Sequence, residues 1–342
     1  MNKRIIICSD GTWNTPDDCH PSNVVEMTRA IAPVSPDGKC QTVFYDKGVG
    51  AEQRGWWDHI TGGAFGCGLD MNIEHAYRFI LYNYNKGDEI FFFGFSRGSY
   101  TARSTVGLIR KVGLLKKIHD DRFEEAYISY RNKLHPDSEE MKNFRKKYSR
   151  EIEIKFMGLW DTVGALGIPA GIFTNQERYQ FHDVELSRIV QYAYHALAID
   201  EKRKTFSPTL WAPREKPGQI IEQVWFSGVH GDIGGGYKER DISSVTLLWL
   251  KEKAESCGLT FDEEYLKKIA KPNPMGMLHN SKTGILFKMS PDYVRPIGKE
   301  EGAHESVHPS AVNRYDNYKP PYKPSNLTKY LDNSEHKIAE VK

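Results

Sequence analysis

A serine attacks an ester carbonyl only if a base removes its proton and an acid holds that base in one tautomer. The chain offers such a serine at Ser96, within Gly94-Phe95-Ser96-Arg97-Gly98. An apolar run from Glu89 to Phe95 leads straight into it, and a helical pattern from Ser99 to Ile109 follows. At a strand-to-helix turn, G-x-S-x-G holds its serine in a strained backbone and lifts the hydroxyl above the sheet edge. Gly94 and Gly98 are required there because a Cβ at either would collide with the neighbouring strand or helix. The helix beyond points its first N–H groups at the place where an oxyanion would form.

In this architecture the acid and the base follow the serine in chain order, each at the carboxyl end of a strand. Asp161 is the first strand-end acid after Ser96, where the apolar residues up to Trp160 give way to Asp161-Thr162. A turn or N-cap aspartate is the plainer reading of the same position. His230 is the matching histidine: the apolar run ending at Phe226 opens into a glycine-rich loop, Gly228 to Gly236, that carries this one imidazole. A mobile loop would let the base reach back to the serine. Asp232 reads as a cap or turn residue. His195 is expected in mid-helix as a packed residue, His304 and His308 fall in an irregular tail, and His20, His59, His75 and His279 have no strand-end context.

The stretch Ser9-Asp10-Gly11-Thr12-Trp13-Asn14 directly follows the first apolar run. A loop there supplies one half of an oxyanion hole, through the N–H of Gly11 or Thr12, the other half being the N–H of Arg97. A rival reading makes Asp10 the nucleophile of an aspartyl-phosphate enzyme, but Thr12 stands where the partner carboxylate is needed. Gly62 to Gly68 reads as flexible backbone before a helix or as a phosphate nest, without the Gly-Lys-Ser/Thr of a Walker loop. No His, Cys, Asp or Glu cluster has metal-ligand spacing, so neither a metal nor a cofactor is expected.

These side chains need a scaffold. Strands are expected at Arg4–Cys8, Gln41–Tyr45, Glu89–Phe95, Ile152–Trp160 and Gln223–Ser227, and helices at Pro21–Ala32, Leu69–Asn85, Thr101–Val112, Glu185–Ile199 and Ser243–Lys253. The alternation predicts an α/β fold of one domain over residues 1–342, its mainly parallel sheet covered by helices on both faces. Residues 116–150 read as a charged helical insertion and 271–342 as an irregular C-terminal wrap. Within that wrap, Lys319 to Pro324 reads as a polyproline segment.

The 342 residues carry a formal net charge of +2, which argues against a nucleic-acid partner. Five scattered cysteines read as reduced thiols rather than a disulfide framework. No stretch reads as a signal peptide or a bilayer span, so a cytoplasmic chain is expected, exported if at all by a route that reads no N-terminal signal.

Six segments occur together in order: Ser9 to Asn14, Tyr45 to Gly50, Gly87 to Gly98, Trp160 to Gly164, His195 to Asp200 and Gly228 to Tyr237. As a set they resemble the α/β-hydrolase domain of the type VI secretion lipase effectors of the first class and their uncharacterised relatives. The resemblance spans nearly the whole chain and implies Ser96 as nucleophile, Asp161 as acid and His230 as base. It further implies hydrolysis of phospholipid acyl esters, peripheral contact with membrane lipid, and a secretion or immunity partner protein. Hydrolysis of small soluble esters, and a hydrolase fold kept as a binding module, remain the alternatives.

Overall fold

Runs such as Ile5-Ile6-Ile7-Cys8 and Ile90-Phe91-Phe92-Phe93 place an apolar side chain on both faces of a strand, which suits a parallel sheet buried on each side. The computed structural model describes residues 2–48, 64–164, 185–213, 216–282, 291–299 and 302–340. In it, strands β1 (Arg4–Ser9), β2 (Gln41–Asp46), β3 (Glu89–Phe95), β6 (Ile154–Trp160), β7 (Val190–Ala198), β8 (Ile220–Phe226) and β9 (Glu305–Val307) form one sheet. Their order is β2-β1-β3-β6-β7-β8-β9, every pair parallel. The short β4 (Leu114–Leu115) and β5 (Ser149–Arg150) pair separately as an antiparallel ribbon.

Period-2 alternation divides the sheet between two cores. Ile5, Ile7, Ile90 and Phe92 pack with α2 (Ala64–Asn83) and α3 (Arg97–Val112) on one face. Helices α4 (Phe123–Arg131) and α5 (Glu139–Tyr148) of the charged insertion join that face, burying Phe123, Ala126, Met141 and Phe144. On the other face Ile6, Cys8, Phe91 and Phe93 pack with α1 (Asn23–Ala30), α7 (Asp241–Ser256) and α8 (Glu263–Ile269). Each wholly buried phenylalanine contributes about 2–3 kcal/mol of burial free energy.

The strand order reverses direction at one place. From β1 the chain passes outward to β2 and then returns to the other side of β1 as β3. In open parallel sheets the crevice beyond the carboxyl ends at such a switch point is where ligands bind. The loop after β1 and the turn after β3 both open there, which sets Gly11 against the ring of Phe95 and the Ser9 and Asp10 carbonyls against Gly98.

Three expectations are corrected. Residues 185–199 do not form a helix; Val190–Ala198 is strand β7, central between β6 and β8. A short apolar run buried on both faces fits either period, and the alanines lean towards helix, but ladder bonds to two neighbours decide for strand. The C-terminal wrap is irregular over much of its length, yet it supplies edge strand β9 and the helices Pro309–Asn317 and Ser325–Leu331. Those elements close a third core over Leu197, Ile199 and Trp225. His230 sits on no loop; it is the buried first residue of a short helix, α6 (His230–Gly234). His59, Val49, Gly50, Gly62 and Gly63 lie outside the described residues. Among the described residues no helix is long and apolar enough to cross a membrane.

Candidate active site

Ser96 occupies the turn between β3 and α3 with φ 57° and ψ −120°. A positive φ is costly for a residue bearing a Cβ, so the packing around it must impose the turn. The glycines permit that packing. A Cβ on Gly94 would stand 2.7 Å from Ser99 Cα, and one on Gly98 would stand 2.0 Å from the Ser9 carbonyl oxygen. The serine N–H donates to Trp160 O at 3.0 Å, tying the turn to the end of β6.

The residue after that carbonyl is Asp161, wholly buried and also at positive φ. Its Oδ2 lies 2.6 Å from His230 Nδ1. A carboxylate on Nδ1 places the proton there and leaves Nε2 as the nitrogen able to accept one. The imidazole is clasped by two aromatic rings, Phe95 at 4.6 Å and Phe206 at 4.9 Å between centroids. Phe95 immediately precedes Ser96, so the His230 ring packs directly on the turn. Gly234 makes room for this, since a Cβ there would come within 2.0 Å of the Phe95 ring.

Burial alone would raise the Asp161 carboxyl, but the charges of Arg295 and His230 override it and hold it well below the usual carboxylate range. For His230 burial dominates in the other direction. It lowers the imidazole below its ordinary 6.5, and the bond and charge of Asp161 restore only part of the loss.

Arg295 is the site residue that motif reading misses. It lies in the segment read as an irregular wrap, is wholly buried, and forms a fork on Asp161: Nη1 to Oδ1 at 2.6 Å and Nη2 to Oδ2 at 3.0 Å. Only its chemistry as a lone arginine flanked by Val294 and Pro296 could have flagged it, and no spacing ties it to Asp161.

The loop after β1 is organised by Asp10. Its Oδ1 accepts from Gly11 N–H at 2.7 Å and Asn14 Nδ2 at 3.1 Å, and its Oδ2 accepts from Ser22 Oγ at 2.6 Å and Tyr45 OH at 2.9 Å. With four donors on two oxygens and 2% exposure, the carboxylate is not presented as a phosphoryl acceptor. Its burial also pushes the carboxyl upward, against those four hydrogen bonds. Gly11 N–H is thus turned onto Asp10, whereas Thr12 N–H has no partner among the described residues. Arg97 opens α3, its half-buried side chain pushed down to about 10 by desolvation, with the guanidinium 5.8 Å from the ring centroid of exposed Trp13.

His195 proves to be a strand residue facing the same acid. It is wholly buried, and its Nε2 accepts from Thr162 N–H at 3.0 Å, which fixes the turn after Asp161. Burial first, and then the charge of Arg103, push it down to about 3, so it stays neutral. Asp232 does cap α6, accepting from Val229 N–H at 3.0 Å, and it also holds His279 Nδ1 at 2.6 Å.

The family model described as "T6SS, Phospholipase effector Tle1-like, catalytic domain" matches residues 3–253. The uncharacterised protein YEL023C of Saccharomyces cerevisiae is 30% identical over 233 residues, 62% of this chain and 33% of that protein. The chain therefore spans about a third of that relative's length. A crystal structure of an uncharacterised protein from Pseudomonas aeruginosa aligns with TM-score 0.46 and 18% identity over 78% of this chain and 47% of its own. The Tle1 effector, in a structure bound to the VgrG spike of the type 6 secretion system, aligns with TM-score 0.41 and 19% identity over 70% of this chain and 52% of its own. With the family model covering well over half of its residues, the chain belongs to the Tle1-like phospholipase effector catalytic-domain family.

Proposed function

We propose that this chain is a serine hydrolase that cleaves carboxylic esters of lipids through an acyl-enzyme on Ser96. The observation that carries the reading is the buried His230 Nδ1–Asp161 Oδ2 pair, 2.6 Å long, whose imidazole packs on the ring of Phe95, the residue before a serine held at positive φ. In this mechanism His230 Nε2 takes the Ser96 proton as Oγ attacks the carbonyl carbon. The imidazolium, stabilised by Asp161, then returns the proton to the departing alkoxide as the ester C–O bond breaks. Water enters by the same route, deprotonated by His230, and releases the acid and the serine.

The oxyanion would be received by Arg97 N–H at the start of α3 and by Thr12 N–H, with Gly11 bracing the loop through its bond to Asp10. Lipid esters are the substrate class that family membership favours, with contact at a membrane surface and a secretion or immunity partner as parts of the same proposal. Export by a route that reads no N-terminal signal belongs to it as well.

The test is fluorophosphonate labelling together with turnover of a series of p-nitrophenyl and phospholipid esters. Labelling at Ser96 that disappears in His230→Ala, and a fall of about 10⁶-fold in kcat for Ser96→Ala, are expected. A well-folded but unlabelled protein would favour a binding module, and turnover confined to short soluble esters would remove the lipid from the reading.

A further inference from the structure

Arg295 lies 42 residues beyond the last residue of the family match, which ends at 253. The tertiary structure nonetheless builds it into the centre of the acid site. Besides its fork on Asp161, Nη1 donates to Ala198 O at 3.0 Å and Nη2 donates to Phe206 O. Its own carbonyl accepts from Asn326 Nδ2 at 3.0 Å, and the same amide donates to Ile199 O at 3.0 Å. One C-terminal helix, Ser325–Leu331, therefore clips the arginine segment to the end of β7.

The Asp161 carboxylate is saturated by this arrangement. Oδ1 accepts from Arg295 Nη1 and from Ala198 N–H at 3.0 Å, and Oδ2 accepts from Arg295 Nη2 and His230 Nδ1. Four donors fill the roughly four lone-pair positions a carboxylate offers. A planar guanidinium fork fixes both the orientation and the ionisation of such a group more tightly than a single donor.

We propose that Arg295 is a positioning residue that balances the charge of Asp161, so that His230 remains neutral and able to accept the Ser96 proton in mildly acidic as well as neutral solution. The proposal rests on the Ser96–His230–Asp161 reading. A buried carboxylate with no counter-charge stabilises an adjacent imidazolium strongly and would keep the base protonated near neutrality. Here a permanent cation in contact with the same carboxylate offsets that pull.

The rest of the surroundings follow the same pattern. Glu201, after β7, accepts from His230 N–H at 3.3 Å and is itself paired with Arg203. Asp232, on the helix of His230, is paired with His279. Behind Asp161 stand neutral His195 and, beyond it, Arg103. Phe95 and Phe206 carry no charge. Among the described residues these three carboxylates, Asp161, Glu201 and Asp232, each have a basic partner, and Arg295 is the one on the carboxylate that touches the ring.

The experiment is the pH profile of kcat/KM on p-nitrophenyl butyrate, whose acid limb reports the base in the free enzyme. Arg295→Gln should move that limb upward by about one to two pH units while keeping much of the alkaline plateau, and Arg295→Lys should leave it within about 0.3 units of wild type. A profile for Arg295→Gln lowered equally at every pH, or a limb moved downward, would overturn the proposal. Should Arg295→Gln fail to fold by circular dichroism, the wild-type limb decides: it is expected below 6.5, and a limb at or above about 7 refutes the charge balance. Ser96→Ala measured alongside separates the two readings. Full turnover in Ser96→Ala would remove the triad and this role together, whereas loss there with an unmoved Arg295→Gln limb removes only the role of Arg295.

Discussion

Replacing Asp161 by asparagine should cost this protein both activity and stability, and the second loss is the informative one. In a triad whose acid has no ion partner, the amide keeps the shape and mainly reverses the imidazole tautomer, with kcat falling about 10⁴-fold. Here the carboxylate meets donors on both oxygens: Arg295 and Ala198 N–H on one side, Arg295 and His230 on the other. Whichever way the amide is turned, its NH2 faces donors. Arg295, wholly buried, is also left without its counter-charge.

Removing one partner of a buried pair costs about 3–5 kcal/mol, because the remaining charge stays desolvated. The expected result is therefore a fall of that size in urea unfolding followed by circular dichroism, beside the kinetic loss. The native Asp161 carboxyl titrates well below its ordinary 3.8, so its stabilising contribution is complete above about pH 4 and fades only as the pH falls through that range. Measurement at pH 7 reads the full effect. Asp161→Asn combined with Arg295→Met should recover about 2 kcal/mol or more over the single variant and no activity. A single variant within about 1 kcal/mol of wild type, or a double variant less stable than the single, would refute the account of this site as a charge-compensated acid.

Two further outcomes follow from the packing. Gly98→Ala would press a Cβ against the backbone oxygens of Ser9 and Asp10, at 2.0 and 2.5 Å, where no flexible side chain can yield. Stability should fall by about 3 kcal/mol or more, with at least a tenfold slower fluorophosphonate reaction, whereas Gly107→Ala, on the same helix with its nearest neighbour at 3.4 Å, should be neutral or slightly stabilising. Equal effects of the two would refute the elbow argument. Burial, and next the charge of Lys253, hold His308 down to about 4, so the unfolded chain takes up the proton first as pH falls below about 6.5. His308→Asn keeps an acceptor for Ser310 N–H, bonded at 3.2 Å, and should lose about 2 kcal/mol less than wild type between pH 7 and pH 5. Identical slopes in chemical denaturation would contradict it.

The elements were legible where their signals were local. β3 and the elbow could be read because an all-apolar run ending in G-x-S-x-G admits one backbone path, and the order of Ser96, Asp161 and His230 was likewise written along the chain. The strand character of β7 is masked because Val190–Ala198 is largely buried on both faces and carries helix-favouring alanines. α6 escapes notice in the sequence because five residues are too few to show a helical period.

What the sequence by itself determined is a serine at a tight strand-to-helix turn and the alternation of strands and helices that presents it. Local sterics set both: glycines where a Cβ has no room, and strands that must be covered on two faces. What only the tertiary structure decided is how the acid is held. Arg295 is 134 residues from Asp161 in the chain, and no periodicity or motif spans that distance. A lone buried arginine acquires meaning only when folding brings it against a carboxylate and removes the water from both.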